Sequence, residues 1–153
     1  MILETERLIL RPWKESDAGD LYRYARDPAV GPIAGWPVHA NVEESREIIR
    51  DFFSVDETYA VCLKDDGRPI GSIGLIQPAQ ANTAAKATEM EVGFWVGVPH
   101  WGKRYIPEAL REIQLHAFED LGCMALWCGY YDGNDKSERV QQKCGFTYHH
   151  TVE

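Results

Sequence analysis

The sequence predicts an α/β fold in which one mixed β-sheet carries helices on both faces. Segments with the two-residue apolar period of strands alternate along the chain with segments of helical period. One turn signal joins two strands into an antiparallel hairpin, whereas a strand–helix–strand unit over 88–130 should be a right-handed crossover between parallel strands. The predicted order of elements is β-α-α-β-β-β-α-β-α-β.

The first half of the chain contains the hairpin and two of the helices. Leu8 and Leu10 share one face of the first strand, and Ser16 and Asn41 are residue types that begin helices by accepting a backbone N–H. Gly67 lies in an Asp-Asp-Gly-Arg segment that is typical of a hairpin turn. The predicted elements are a strand over 5–13, helices over 16–26 and from 41, and strands over 58–64 and 69–77.

The second half contains the crossover unit. Gly122 suits the C-terminal end of its long helix, because glycine tolerates left-handed backbone angles. The predicted elements are a strand over 88–98, a helix that ends near Gly122, a strand over 124–130, a helix that ends near Lys143 and a strand that begins at Gly145. Residues 1–153 are expected to form a single domain, since this length supports one core.

Composition and charge narrow the class of protein. The formal net charge of -8 argues against general nucleic-acid binding, which requires a basic surface. Charged residues begin at Glu4, and no apolar run approaches the roughly 20 residues of a membrane span, so we expect a cytoplasmic protein that binds no membrane. The four cysteines and the scattered histidines, His116 among them, match no metal-ligand spacing. We therefore expect no metal, free thiols and surface histidines.

The stretch 91–110 has the pattern of an anion-binding site. An apolar strand leads through a short basic loop into an amphipathic helix, so free backbone N–H groups and the positive end of the helix dipole face the loop. Lys103 and Arg104 lie in that loop, and Pro107 falls in the first helical turn, where its missing N–H matters least. The stretch therefore predicts a site for a phosphorylated cofactor.

Five segments occur together in the order and spacing of a known family. They are 5–12 (TERLILRP), 91–95 (EVGFW), 101–110 (WGKRYIPEAL), 134–137 (NDKS) and 143–146 (KCGF). They extend over nearly the whole chain and resemble the GNAT superfamily of N-acetyltransferases. The resemblance is closest to the branch that contains the ribosomal-protein-alanine acetyltransferases.

The resemblance implies a GNAT-like mixed sheet and acetyl-coenzyme A as the cosubstrate, with no metal. In that family the pantetheine arm pairs with the backbone of the strand that here runs over 91–98, and the pyrophosphate lies on the following loop and helix N-terminus. The cofactor-binding residues that the resemblance implies are Trp95, Val96, Val98, Gly102, Lys103, Arg104, Tyr105, Ile106, Asn134 and Ser137.

The sequence departs from the family pattern in two places. Arg104 stands where the family usually has Gly, and Ile106 where it has a small residue, so we expect Arg104 to take helical backbone angles and to add charge for the phosphate. The family also has a further strand after the one that begins at Gly145, whereas this chain ends at Glu153. We expect either a C-terminally truncated product or a homodimer in which the partner covers the sheet edge.

Acetyl transfer to an amine requires a base for the amine proton and a donor for the thioester oxyanion. Glu91 is the predicted base and lies on the same strand face as Glu89, a weaker candidate. A structural, salt-bridged carboxylate is the other role open to Glu91. A strand N–H near Trp95 or Val96 is the expected oxyanion donor.

A weak acid would help the thiolate to leave. By resemblance, Ser137 is this acid or a coenzyme contact, and Asn134 is a coenzyme contact; helix capping is the other role open to both. Tyr130 and Tyr131 are alternative acids. Trp36 either lines the acceptor pocket or anchors a packed loop.

The predicted function is that of an N-acetyltransferase that moves an acetyl group from acetyl-coenzyme A to a primary amine. The acceptor is a protein N-terminus or a small-molecule amine. The alternative, favoured by Arg104, Ile106 and the early end of the chain, is a non-catalytic or impaired coenzyme A-binding domain. A third reading is a phosphate-binding module on an unrelated α/β fold.

Overall fold

A mixed sheet forms the centre of the molecule, as the sequence predicts. The structure, a computed structural model, describes residues 2–34, 36–76, 89–129 and 135–147. Within these residues the sheet has the order β1-β2-β3-β4-β5-β6, with antiparallel neighbours up to β5 and a parallel β5–β6 pair. The strands are β1 (Leu3–Glu4), β2 (Leu8–Pro12), β3 (Thr58–Leu63), β4 (Pro69–Ile76), β5 (Glu89–Val96) and β6 (Ala125–Trp127).

Most helix ends agree with the local signals, but the cap predicted at Ser16 is wrong. Ser16 lies within a single turn over Glu15–Asp17, and the first α-helix begins at Ala18. The Asn41 side chain accepts the Glu44 N–H at 2.8 Å, which confirms the predicted N-cap. Gly122 takes a φ of 67° after a π-helical segment, His116–Asp120, that continues the long helix. The helices are α1 (Ala18–Ala25), α2 (Gly31–Ala34), α3 (Val42–Ile48), α4 (Tyr105–Leu115) and α5 (Asp135–Lys143). None of the helices in the described part of the chain has the length and apolar character that a membrane span requires.

Helices cover both faces of the sheet, because alternate strand residues point to opposite sides. On one face, fully buried Leu8 and Leu10 pack in a cluster with α4. On the other face, Ala60 of β3 packs with Leu21 of α1 and with Ile49, which follows α3. The predicted layer arrangement is therefore confirmed.

The predicted end of one strand and the predicted start of another are wrong. β5 ends at Val96, because the chain turns at Gly97 into a single helical turn over Val98–His100. Residues 145–147 are not in a strand, since Gly145 takes a φ of 89° and ends the helical segment. The rest of the strand predicted from Gly145 lies outside the described residues.

His116 is buried, so the expectation of a surface histidine is wrong for this residue. Its side chain is 1% exposed and bonds to two carboxylates, with Nε2 at 2.8 Å from Glu57 Oε2 and Nδ1 at 2.8 Å from Asp120 Oδ2. The Tyr59 hydroxyl donates to the same Glu57 oxygen at 2.9 Å. Burial by itself lowers the pKa of His116, but the two carboxylate partners raise it above the ordinary value of 6.5.

This cluster predicts that part of the stability is lost as the pH rises. Because the folded-state pKa of His116 lies above its unfolded value, the stabilisation is fully present below about pH 6.5 and disappears as the pH passes through the folded pKa. We expect the gap in unfolding free energy between wild type and His116→Gln to be larger at pH 6 than at pH 8.5. Urea unfolding at both values measures it, and a gap that does not change with pH would contradict the charged pair.

Candidate active site

The sheet opens between β5 and β6. β5 pairs with β4 from Glu91 to Val96, but with β6 only over Glu89–Glu91, where Glu91 lies opposite Trp127. Beyond Glu91, the β6-facing edge of β5 therefore has no strand partner among the described residues. A parted pair of strands leaves backbone groups for a ligand to bond.

The backbone directions at this edge follow from three contacts. The Gly97 N–H donates to Ile70 O at 2.9 Å, and a Cβ built on Gly71 would lie 2.3 Å from Trp95 O. The backbone polar groups of Trp95, in β5, and of Gly97, directly after it, therefore face β4. Val96 O accepts from Trp101 Nε1 at 2.9 Å, away from β4. Because the direction alternates along a strand, the N–H groups of Phe94 and Val96 face the opening.

The turn after β5 is packed tightly against α1. A Cβ on Gly97 would lie 2.3 Å from the Tyr24 ring, so only glycine fits there without moving that ring. The Tyr24 hydroxyl is 3.0 Å from His100 Nε2, and burial together with nearby Lys103 lowers the pKa of His100. Val98, predicted on the strand, lies in this turn beside the basic loop.

Glu91 is buried at the point where the strands part. It is 5% exposed and shares the α1 side of β5 with Glu89, Gly93 and Trp95, as predicted. Trp127 Nε1 donates to Glu89 Oε1 at 2.9 Å, which joins the paired ends of the two strands. Burial raises the pKa of the Cys128 thiol well above its ordinary value, and the Glu91 carboxylate adds to that effect.

Aromatic side chains cover the same face further along β5. Trp36 meets Trp95 edge-on with ring centroids 5.6 Å apart, and His39 lies 5.4 Å from Trp36. His39 is held in turn by a 2.8 Å contact between its Nδ1 and Ser45 Oγ. Trp36 thus packs against the strand as an anchor of its loop, which is one of the two roles expected for this residue.

The basic loop takes left-handed backbone angles at two positions. Gly102 has a φ of 77°, and Arg104, the N-cap of α4, has φ 64° and ψ 24°. The expectation of helical angles at Arg104 is therefore wrong: the residue adopts the conformation in which glycine would be favoured, at a cost of about 1–2 kcal/mol. Arg104 makes no side-chain cap bond, so the first N–H groups of α4 stay directed at the loop.

Ile106 does not crowd the loop, although it replaces a small residue of the family pattern. Its side chain is 5% exposed and belongs to the buried core, whereas Gly102, Lys103 and Arg104 are exposed. Tyr105 is partly buried. The exposed surface of the loop thus consists of backbone and two cationic side chains, which suits a phosphate group.

An ion pair that the sequence did not reveal supports this loop through the N-terminal segment. Arg7 Nε donates to Glu108 Oε1 at 2.8 Å, and the Arg7 backbone N–H donates to Glu108 Oε2 at 2.9 Å. The Thr5 hydroxyl donates to the same carboxylate, and Arg7 Nη1 donates to Lys103 O at 3.0 Å. The local signal that could have pointed to this ion pair is the acidic residue in the first turn of α4. Its partners, however, lie in the N-terminal segment.

Ser137 is linked through Gln141 to the chain that leaves β6. It lies near the start of α5, where buried Gln141 donates through Nε2 to Ser137 Oγ at 3.1 Å and to Gly129 O at 3.2 Å. These contacts tie α5 to the chain that leaves β6. Asn134, Tyr130 and Tyr131 lie outside the described residues.

A comparison with known protein families matches residues 7–147 to the Acetyltransferase (GNAT) domain. The chain belongs to this family. Its membership confirms the predicted superfamily, and acetyl transfer is the general activity of the family. GNAT enzymes generally use acetyl-coenzyme A, and an acetyltransferase requires an acceptor substrate.

Individual relatives agree with the family assignment. The "Uncharacterized N-acetyltransferase YoaA" of Bacillus subtilis (strain 168) is 25% identical over 150 residues, which cover 95% of this chain and 82% of the relative. The GNAT-family acetyltransferase of Bacillus anthracis shares the fold with a TM-score of 0.80 at 20% identity, over 95% of this chain and 82% of its own. The ribosomal-protein-S5-alanine acetyltransferase of Vibrio fischeri has a TM-score of 0.70 at 19% identity, over 96% and 83%.

The left-handed conformation of Arg104 can be tested by stability. Valine is strained at positive φ, whereas glycine is not, and the side chain at this position is exposed, so packing changes little. We expect Arg104→Gly to be more stable than Arg104→Val by at least about 1 kcal/mol in chemical unfolding. Equal stability of the two variants would mean that residue 104 does not hold this conformation.

Proposed function

We propose that this GNAT enzyme transfers the acetyl group of acetyl-coenzyme A to a primary amine, with Glu91 as the base. The observation that carries the proposal is the open edge of β5. One of its ends reaches the cationic loop before α4, and the other reaches buried Glu91. A single extended ligand, with a phosphate group at one end and a thioester at the other, fits such a groove.

The loop is proposed to hold the pyrophosphate. Gly102 and Arg104, in left-handed conformation, turn the chain so that the N–H groups of Tyr105 and Ile106 point outward, and Lys103 supplies a flexible cation. Arg104 adds a second positive charge close to the same backbone. Val98 flanks the loop, and Asn134 remains a proposed contact from the family pattern.

The open edge is proposed to bind the pantetheine arm. The outward N–H groups of Phe94 and Val96 are donors for an extended arm, while Trp95 contributes its ring on the α1 side rather than its backbone. One of these two N–H groups would also stabilise the oxyanion that forms when the amine attacks the thioester carbonyl. Fixed backbone donors suit this task because they need no rearrangement during the reaction.

Glu91 is proposed to accept the amine proton. An alkylamine is mostly protonated near neutral pH and must lose a proton before its nitrogen can attack. The amine nitrogen then bonds to the acetyl carbon and releases its second proton to water. The carbon–sulfur bond breaks, and Ser137 is the proposed donor of a proton to the departing thiolate. Water can restore the proton on Ser137.

Direct attack by the amine is favoured over an acetyl-cysteine intermediate. Burial raises the pKa of the Cys128 thiol well above its ordinary value, and the Glu91 carboxylate raises it further. Burial likewise raises the pKa of Cys62 to about 11 and raises the pKa of Cys144. A thiol that stays protonated is a poor nucleophile, so these side chains are unsuited to carry the acetyl group.

The acceptor is proposed to enter beside Trp36 and Trp95. These rings lie on the same face of β5 as Glu91, and an aromatic wall attracts a cationic amine before it is deprotonated. The Vibrio fischeri protein is named a ribosomal-protein-S5-alanine acetyltransferase. An alanine residue of a protein carries a free amine only at the N-terminus. A protein N-terminus is therefore the first acceptor to test here, with small-molecule amines as the comparison.

Substitution of the base should separate chemistry from binding. We expect Glu91→Gln to lower kcat by about 10²- to 10⁴-fold and to leave coenzyme A affinity nearly unchanged, because the amide cannot accept the proton. Glu89→Gln is the matched control, with a much smaller effect. Thiol release with peptides and small amines measures kcat, and unchanged turnover of Glu91→Gln would exclude Glu91 as the base.

Lys103→Ala tests the phosphate end of the site. Removal of a cation that pairs with a phosphate should weaken coenzyme A binding by about tenfold, or about 1.4 kcal/mol. Lys64→Ala removes the same charge from the end of β3, where Lys64 pairs with Glu4 at 3.4 Å, and serves as the control. Isothermal titration compares the variants; equal loss in both would show that only net charge matters.

A further inference from the structure

Arg7 contacts the loop before α4 and the first turn of α4 at three places in all. Its guanidinium donates to Lys103 O at 3.0 Å, lies 4.4 Å from the centre of the Tyr105 ring, and donates to Glu108 at 2.8 Å. One side chain thus touches a residue of the loop, the first residue of α4 and a residue of its first turn. The partners are separated by 101 residues between Arg7 and Glu108, so only the folded chain brings them together.

Glu108 poses an electrostatic problem for an anion site. A carboxylate in the first turn stabilises the helix by interacting with its positive end, about 5 Å along the axis from Tyr105. The same charge would repel a phosphate group at that end. Here the carboxylate accepts bonds from the Arg7 side chain, the Arg7 backbone and the Thr5 hydroxyl.

These bonds keep Glu108 ionised and oriented. Burial by itself raises the pKa of Glu108, but the bonds from Thr5 and Arg7 lower it overall, so the group is a carboxylate at neutral pH. The Arg7 guanidinium compensates its charge at close range. A phosphate group at the loop then interacts with the dipole of α4 and with the charges of Lys103 and Arg104.

We propose that Arg7 is a positioning residue for the pyrophosphate of coenzyme A. It fixes the loop through the Lys103 carbonyl and compensates the charge of Glu108, without contacting the ligand itself. The inference rests on the proposed function, in which the loop over 102–106 holds the pyrophosphate.

The two members of the ion pair should have opposite effects on binding. Arg7→Met leaves the Glu108 charge uncompensated beside the site and frees the Lys103 carbonyl, so the Kd for coenzyme A should rise at least tenfold. Glu108→Gln removes the repulsive charge, while its amide oxygen still accepts a bond from Arg7, so the Kd should stay equal or fall. A merely structural ion pair would make both variants bind more weakly.

The double variant and a shortened substrate sharpen this test. Adding Glu108→Gln to Arg7→Met should recover at least threefold of the lost affinity. S-acetylpantetheine lacks the pyrophosphate, so Arg7→Met should raise the KM for acetyl-coenzyme A at least tenfold and leave the KM for S-acetylpantetheine within twofold. A similar rise in both KM values would overturn the proposal.

Isothermal titration of the full chain with coenzyme A gives the Kd values, and near-ultraviolet circular dichroism reports folding. Failure of the wild type to bind coenzyme A would overturn the proposed function itself. Wild-type binding with Arg7→Met within twofold would overturn only the positioning role. If Arg7→Met does not fold, Glu108→Gln decides: weakening beyond threefold overturns the proposal, and equal or tighter binding supports it.

Discussion

β5 hydrogen-bonds to β4 from Glu91 to Val96, but to β6 only as far as Glu91. A backbone edge that loses its neighbour within a sheet must find other partners, because unsatisfied N–H and C=O groups are costly. The protein satisfies part of this need itself, since Trp101 donates to Val96 O. The N–H groups of Phe94 and Val96 remain directed at the opening, so the groove, the placement of Glu91 and the approach to the loop all follow from where the two strands part.

The loop at the end of this groove contains one strained residue and is supported by an ion pair. Arg104 holds a left-handed conformation that costs about 1–2 kcal/mol, and the Arg7–Glu108 ion pair fixes the first turn of α4 next to it. Because Arg7 precedes the buried residues Leu8 and Leu10 of β2, the support is continuous with the core. Stability of the N-terminal strand and the shape of the proposed phosphate site are thus physically linked.

Local signals predicted most of the fold but only part of the site. The alternation at Leu8 and Leu10 and the cap at Asn41 depend on neighbouring residues, and the structure confirms both. Arg104 was misjudged because residue type alone favours helical angles, whereas the turn into α4 imposes a positive φ. His116 and Arg7 could not be interpreted from sequence, since Glu57 and Glu108, which bond to them, lie 59 and 101 residues away. The second partner of His116, Asp120, is only four residues away, but this spacing does not by itself indicate burial.

The central claim is that coenzyme A occupies the open edge of β5, and amide hydrogen exchange tests it most directly. Exchange at Phe94 and Val96 should slow markedly when coenzyme A saturates the protein, because the pantetheine arm would cover these outward N–H groups. Trp95 provides the internal control, since its backbone faces β4 and its protection should change little. Unchanged exchange at both Phe94 and Val96 in the saturated protein would contradict this account of the site.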